Sequence, residues 1–238
     1  MSDQEDMVFL FDVDNTLLDN DRVTDDLRRH LVEQFGKKSA ERYWILFEAL
    51  RVELGYTDYL GALQRYRQGL MNDPDLLTMS SYLLEYPFAD RLYPGALDVL
   101  GHVGQWGQAV ILSDGDVVFQ PRKVQRSGLW DAVDGRVLIY IHKEKMIDAV
   151  MERYPARRYV MVDDKLRILA AMKKRMGERL TTVFPRQGHY AHDLKTVRLL
   201  PPADITIEHI GDLIDVDFAA RLRTADIDET TQRRGITT

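Results

Sequence analysis

The chain has 238 residues, a length between one and two domains at about 150 residues each. Acidic residues outnumber basic ones by 38 to 32, and the resulting net charge of −6 argues against a general nucleic-acid-binding surface. Cysteine is absent, which excludes disulfides, thiolate nucleophiles, cysteine-bound zinc and iron–sulfur clusters. The N-terminus is acidic and polar, and no apolar run approaches the ~20 residues of a membrane span, so we expect a cytoplasmic protein.

The predicted elements begin with an apolar run over residues 7–13, which lacks polar alternation and is typical of a strand buried on both faces. Residues 20–91 have helical apolar spacing and no convincing strand. Within them, Gly36 is expected to end a first helix, Ser39 to begin a second that stops at Gly55, and Thr57 or Asp58 to begin a third.

From residue 92 the patterns of helices and strands alternate with short connections. Apolar runs predict strands at residues 109–112, 136–141, 159–162 and 180–184. Such alternation indicates crossover units and a parallel sheet covered by helices on both faces, so the fold class is α/β. The predicted organisation is a sheet domain of residues 1–19 and 92–220, an all-helical insertion of residues 20–91, and a disordered polar tail of residues 221–238.

Polar side chains follow four of the predicted strands, at the edge where an open parallel sheet binds its ligands. They are Asp12 and Asp14 after the first strand, Ser113 and Asp114 (followed by Gly115) after the second, Lys143 and Lys145 after the third, and Asp163 and Asp164 after the fourth. Each group alone is also compatible with an ordinary turn, loop or helix cap. Together they bring carboxylates, a hydroxyl and a cation to one crevice, which independent turns would not be expected to do.

The chemistry of these groups is complementary. Carboxylates that leave a buried strand are costly unless they are paired or bound to metal, and adjacent Asp163 and Asp164 repel each other unless a hard cation such as Mg²⁺ lies between them. Ser113, with glycine two residues later, can direct a hydroxyl and backbone N–H groups at one anion. A lysine near a helix start opposes the helix dipole, and a bound anion would explain it.

The order and amino-acid sequences of these motifs resemble those of the haloacid dehalogenase-like superfamily of phosphatases and phosphotransferases. Residues 11–17, Phe-Asp-Val-Asp-Asn-Thr-Leu, are similar to the nucleophile motif of that family, and residues 112–115 to its second motif. Residues 163–164 resemble the paired-acid form of the fourth motif. The resemblance covers residues 8–213 and implies a Rossmann-like core, with the insertion matching a helical cap of the first type only in position and helical character.

The third motif is where the chain departs from the family pattern. Many members have Lys-Pro there, whereas this chain has Lys143-Glu144-Lys145. Lys143 is favoured because apolar residues follow it at offsets of three, four and seven, the spacing of one helix face. Lys145 stays open as the alternative.

The resemblance implies a Mg²⁺-dependent phosphatase that hydrolyses a small phosphorylated metabolite through an aspartyl-phosphate. Asp12 would be the nucleophile, and Asp14 would protonate the leaving oxygen and then activate water. The residues implied to hold or support the phosphoryl group are Ser113, Asp114, Gly115, Lys143 and Thr16.

The same resemblance implies a metal site. Mg²⁺ would be held by Asp12, by the backbone carbonyl of Asp14, and by Asp163, while Asp164 would either complete the metal shell or pair with Lys143. The alternatives are a sugar-phosphate mutase or phosphotransferase, a dehalogenase, and a non-catalytic binding member; Asp14 disfavours the dehalogenase, because a halide needs no proton to leave. We expect no nucleic-acid or membrane partner, and a monomer or homodimer.

Overall fold

A computed structural model of the chain describes residues 7–68 and 75–218, and a six-stranded sheet forms its core. The strand order is β3-β2-β1-β4-β5-β6, and every neighbouring pair is parallel. The strands are β1 (Met7–Phe11), β2 (Gln108–Asp114), β3 (Val137–Tyr140), β4 (Arg158–Val162), β5 (Leu180–Pro185) and β6 (Ile205–Ile207). The predicted α/β class is confirmed.

Helices make up most of the rest of the described chain. They are α1 (Asn20–Leu54), α2 (Tyr59–Tyr66), α3 (Asp75–Glu85), α4 (Ala96–Val103), α5 (Phe119–Arg126), α6 (Leu129–Ala132), α7 (Ile147–Arg153), α8 (Leu166–Met176), α9 (Gly188–His192) and α10 (Leu194–Val197). Short 3₁₀ turns occupy Phe88–Arg91, Lys143–Lys145, Gly177–Arg179 and Ile210–Asp215. None of the described helices has an apolar stretch long enough to cross a membrane.

Helices cover both faces of the sheet, as predicted. Along β1, Phe9 and Phe11 enter an apolar cluster to which α1–α6 contribute, whereas Val8 and Leu10 enter a second cluster shared with α7–α9. This alternation follows from the period-two geometry of a strand and explains why all five residues of β1 are buried.

The segment between β1 and β2 carries α1, α2 and α3, where the helical insertion was predicted. Gly36 is the one non-helical position inside α1 (φ 78°, ψ 161°), so the predicted break is a kink. The chain resumes its helix before Ser39, so the predicted N-cap at Ser39 is wrong. Gly55 ends α1 in a left-handed conformation, and the Asp58 carboxylate caps α2 by accepting from the Gly61 N–H at 2.6 Å.

One further difference concerns the C-terminal part of the chain. Strand β6 has only three residues and lacked a sequence signal that would separate it from a loop. The tail predicted at residues 221–238 lies outside the described residues. The predicted boundaries between sheet domain and insertion, at residues 19 and 92, stay predictions.

The topology brings four polar strand ends together. Because β3, β2, β1 and β4 are adjacent and parallel, their carboxyl ends meet at one edge of the sheet. That edge carries the motif residues that follow each strand.

Candidate active site

The turn after β1 is held by its own backbone. The Asp12 N–H donates to the Val162 carbonyl at 3.0 Å, which continues the pairing of β1 with β4. The Val13 carbonyl then accepts N–H groups from Thr16, Leu17 and Leu18 at 2.9–3.3 Å. This tight turn follows a buried strand, so the Asp12 carboxylate starts at the sheet edge and is almost fully buried.

Lys143 lies between two of the predicted acids. Its fully buried ammonium donates to Asp12, forms an ion pair with Asp163 at 2.7 Å, and donates to the Leu112 carbonyl at 3.2 Å. Burial alone would lower the pKa of Lys143, but the Asp12 and Asp163 carboxylates outweigh it and hold the pKa above its usual value. The ammonium is therefore charged at neutral pH.

Lys145, the alternative to Lys143, is exposed. Its backbone N–H donates to the His142 carbonyl, and its side chain lies outside the cluster of acids. The structure therefore brings Lys143, and not Lys145, to the acids of the first and fourth motifs.

Three carboxylates converge beside this lysine. Asp12, Asp163 and Asp164 are all buried, and one oxygen from each lies within 4.8 Å of the others. Both Asp164 side-chain oxygens lack a hydrogen-bond partner among the described residues. One Asp163 side-chain oxygen accepts a hydrogen bond from the backbone N–H of Lys165 at 2.7 Å. Burial raises the pKa of Asp163 to about 6 and raises that of Asp164 well above its ordinary value.

This acid cluster fits a hard divalent cation. Buried carboxylate oxygens without partners are costly, and a cation that takes oxygen ligands removes that cost. Asp12, Asp163 and Asp164 are the residues that could hold it. The carboxylate of Asp14 is not part of this group.

Asp12 itself differs electrostatically from its two neighbours. Burial acts to raise its pKa, but the charges of Lys143 and Lys165 outweigh burial and hold the pKa of Asp12 below its ordinary value. An ionised carboxylate at this position has the lone pair that a nucleophile needs.

The Thr16 hydroxyl connects the first and fourth motifs. It donates to Asp12 at 3.4 Å and accepts the Asp164 N–H at 3.0 Å. The Thr16 hydroxyl therefore lies beside Asp12 and gives the backbone N–H of Asp164, in the turn after β4, a hydrogen-bond partner. A direct contact of Thr16 with phosphate stays a prediction.

The end of β2 supplies a hydroxyl and a brace. Ser113 is buried beside this edge, and its oxygen accepts from the Gln120 side chain at 3.0 Å. The Asp114 carboxylate accepts a hydrogen bond from the backbone N–H of Lys143 at 2.7 Å. This bond fixes the loop that carries the buried Lys143 ammonium. The Gly115 N–H already donates to the Tyr140 carbonyl at 3.0 Å, so the expected phosphate-facing donor at Gly115 is occupied within the sheet.

Asp14 has partners that the sequence analysis did not predict. One of its oxygens accepts from the Lys123 ammonium at 2.6 Å, and the other from Gln120 at 3.4 Å. Both partners lie on α5 and are buried. The available signal was their place on the buried face of α5, since Gln120 and Lys123 are three positions apart between apolar Phe119 and Val124.

Lys165 is a second cation that the sequence analysis missed. It is half-buried, and its ammonium lies 5.2 Å from the centre of the Tyr190 ring. Burial would lower the pKa of Lys165, but the Asp12 and Asp164 carboxylates hold it above its usual value. The charges of both Lys143 and Lys165 therefore act on Asp12.

A second layer braces the turn that carries Asp12 and Asp14. Asn15 has a left-handed conformation (φ 63°), and its side chain exchanges two hydrogen bonds with Asp21 at 3.0 and 3.1 Å. Asp21 in turn accepts from the His189 backbone N–H at 2.8 Å. Gly188, also left-handed at φ 67°, is so close to Asn15 that an added Cβ would lie 2.4 Å from the Asn15 Cβ.

The helical insertion reaches this edge of the sheet. Gly55, at the end of α1, lies against the His142 ring, and a Cβ built at Gly55 would be 3.1 Å from the ring carbon Cε1. His142 directly precedes Lys143, so the insertion touches the loop that carries the buried ammonium.

The fold and the acid-rich strand edge define a class of α/β proteins with an open parallel sheet, a helical insertion after the first strand and a carboxylate cluster at the carboxyl ends of the strands. The chain belongs to the haloacid dehalogenase-like hydrolases, because the model of that family matches residues 7–174. No protein among the curated sequences matches the chain significantly.

Solved structures agree with this assignment. A candidate haloacid dehalogenase-like hydrolase of Burkholderia xenovorans LB400 is 68% identical, with 90% of this chain and 99% of that chain covered and a TM-score of 0.85. The candidate HAD-hydrolase YfnB of Bacillus subtilis, in a form bound to magnesium, is 19% identical over 88% of this chain and 97% of that chain, with a TM-score of 0.58. The L-2-haloacid dehalogenase PA0810 is 16% identical over 88% and 98%, with a TM-score of 0.59. The two distant likenesses concern the fold alone.

Proposed function

We propose that the protein is a Mg²⁺-dependent phosphatase that hydrolyses a small phosphate monoester through an aspartyl-phosphate on Asp12. The observation that carries this proposal is the buried cluster of Asp12, Asp163 and Asp164 beside the Lys143 ammonium. This arrangement combines a nucleophile, oxygen ligands for a cation and a fixed positive charge, which are the groups that phosphoryl transfer requires.

The proposed first half-reaction uses two acids, Asp12 and Asp14. An Asp12 oxygen attacks phosphorus, the bond from phosphorus to the leaving oxygen breaks, and Asp14 donates a proton to that oxygen. The charge of Lys143 and the hydroxyl of Ser113 would stabilise the phosphoryl oxygens as charge redistributes. The leaving alcohol then departs as a neutral molecule.

The second half-reaction regenerates the enzyme. Asp14, now a carboxylate, takes a proton from water as the water oxygen bonds to phosphorus. The bond from phosphorus to Asp12 breaks, which releases inorganic phosphate and restores the Asp12 carboxylate. Asp12 and Asp163, with Asp164 where it completes the shell, would hold Mg²⁺, and its positive charge would offset the repulsion between carboxylate and phosphate.

The presence of Asp14 favours a phosphate ester over a haloacid as substrate. A halide leaves as an anion and needs no proton, whereas an alkoxide leaving from phosphorus does. Asp14 lies two residues after the nucleophile and is held by Lys123. We therefore propose a phosphorylated metabolite as the substrate, with α1–α3 as the cap that closes over it and selects the leaving group.

The experiment that tests this function is hydrolysis of p-nitrophenyl phosphate by the purified protein. We expect activity with Mg²⁺, its loss on addition of a chelator, and its loss in Asp12→Asn. The matched control is Asp98→Asn, which removes an exposed acid of α4 and should leave the rate unchanged. Release of halide from a 2-haloacid without any release of phosphate from esters would overturn the proposal.

A further inference from the structure

We propose that Lys123 is a positioning residue for Asp14, an inference that rests on the proposed function. The motifs place Asp14 in proton transfer but assign nothing to Lys123, which lies 109 positions further along the chain on α5. Its role is to hold one oxygen of the Asp14 carboxylate, so that the other oxygen carries the proton that is donated to the leaving group and later taken from water.

The contacts of Lys123 are specific. Its side chain is only 1% exposed, and its ammonium donates to one Asp14 oxygen at 2.6 Å and to the Asn20 side-chain oxygen at 3.0 Å. The Phe119 ring lies beneath it at 5.5 Å. Asp14 is its only acidic partner among the residues that the structure describes, so the one ion pair of this buried lysine is with the Asp14 carboxylate.

A purely structural role explains these contacts poorly. Removing an ammonium from water is costly, and apolar residues of similar volume usually pack a helix against a sheet as well or better. Asp14 also stays partly open, with 18% of its side chain exposed, whereas Lys123 is sealed. The exposed side of the pair is therefore the carboxylate, which is the group that must reach a substrate.

Gln120 adds a second contact from the same face of α5. Its amide lies 3.4 Å from the other Asp14 oxygen and 3.0 Å from the Ser113 hydroxyl. The long contact to Asp14 is weak and leaves that oxygen free to exchange a proton. Helix α5 thus orients the carboxylate that transfers protons and the hydroxyl on the phosphate side of the site.

The test compares two substrates that differ in how much their leaving group needs a proton. We choose phenyl phosphate and p-nitrophenyl phosphate, because they have similar size and the nitrophenol leaves readily as an anion. The quantity is kcat/KM, which covers the steps through leaving-group release and excludes the later hydrolysis of the aspartyl-phosphate. Substitution Lys123→Met removes the ammonium and keeps most of the apolar stem.

We expect Lys123→Met to lower kcat/KM for phenyl phosphate about tenfold more than for p-nitrophenyl phosphate, since proton transfer contributes roughly 10²–10⁴-fold in such reactions. Lys123→Arg keeps a charged donor and should recover part of the loss on phenyl phosphate. The control Lys174→Met removes an exposed lysine from α8 and should change neither value.

Two outcomes would contradict the inference in different ways. An equal loss on both esters, in a variant that melts like the wild type, would reduce Lys123 to a structural residue and leave the proposed function intact. Wild-type protein that hydrolyses neither ester would overturn the proposed function, and the role of Lys123 with it.

Discussion

Lys143 donates a charged hydrogen bond to Asp12 although 131 positions separate the two residues along the chain. The contact exists because β1 and β3 flank β2 in the same parallel sheet, so that the loops after the two strands leave the same edge. It fixes the carboxylate proposed as the nucleophile and supplies positive charge where a phosphoryl group would approach.

Lys143→Met should abolish most of the activity. The ammonium is buried against Asp12 and Asp163, and removal of one positioned donor of this kind costs roughly 10²–10³ in kcat. Lys145→Met removes an exposed lysine two positions away and should keep near-wild-type rates. Steady-state kinetics of the two variants decides between the lysines, and a larger loss in Lys145→Met would reverse the assignment.

Mg²⁺ should stabilise the folded protein through the acid cluster. A cation that binds only the native state raises stability by about 2.7 kcal/mol at 100 times its Kd. We expect thermal unfolding of the wild type to shift upward with Mg²⁺ and to return on addition of a chelator. Asp163→Asn should abolish this shift, whereas Asp98→Asn should retain it. A shift that persists in Asp163→Asn would place the cation elsewhere.

Without metal, Asp164 should make stability depend on pH. Burial raises the pKa of Asp164 in the folded state, so the folded protein holds a proton that the unfolded chain releases. Its contribution is therefore full below the unfolded pKa of about 3.9 and is lost as the pH rises toward the folded pKa.

Denaturant unfolding of metal-free wild type and Asp164→Asn across this range measures the effect. The wild type should lose stability relative to the variant as the pH rises, and Mg²⁺ should reduce the difference. The opposite trend, in which the wild type gains stability relative to Asp164→Asn as the pH rises, would show that the ionised Asp164 carboxylate stabilises the folded protein.

Gly188 should be required for the turn that carries the acids. Gly188→Ala places a side chain in a left-handed conformation and forces its Cβ to within 2.4 Å of the Asn15 Cβ. Gly128→Ala is a matched control, since Gly128 has φ 83° but nothing within 4 Å of an added Cβ. Each left-handed alanine costs about 1–3 kcal/mol. Gly188→Ala should lower the free energy of unfolding more than Gly128→Ala does, and it should also lower activity. Equal losses of stability with unchanged activity would contradict the claim that Gly188 supports the turn that carries the acids.

The strand-end motifs were predictable from sequence because they obey a simple rule. A parallel sheet brings the carboxyl ends of its strands to one edge, so the positions of Asp12, Lys143 and Asp163 at or just beyond the ends of apolar runs predict that they lie close together. The kink at Gly36 was signalled by the glycine itself, although the immediate return to helix was not.

Other features were hidden because their signals are not local. Lys123 lies in the middle of a helix, and the apolar residues near it indicate a buried face but not that this face packs against the turn after β1. Lys165 directly follows two acids that were interpreted as metal ligands, and its charge was not assigned to the site. Strand β6 has three residues and pairs with β5 at the edge of the described sheet, and so short an apolar run does not distinguish a strand from a loop.

The most direct test of the account is detection of the phosphoryl group on Asp12. The protein would be quenched in acid during turnover of p-nitrophenyl phosphate with Mg²⁺, and its peptides mapped by mass spectrometry, with Asp14→Asn included to slow the second half-reaction. We predict a phosphorylated peptide that contains Asp12, enriched in Asp14→Asn and absent in Asp12→Asn. Phosphate release with no phosphorylated peptide in Asp14→Asn, or a phosphoryl group on another residue, would contradict the account.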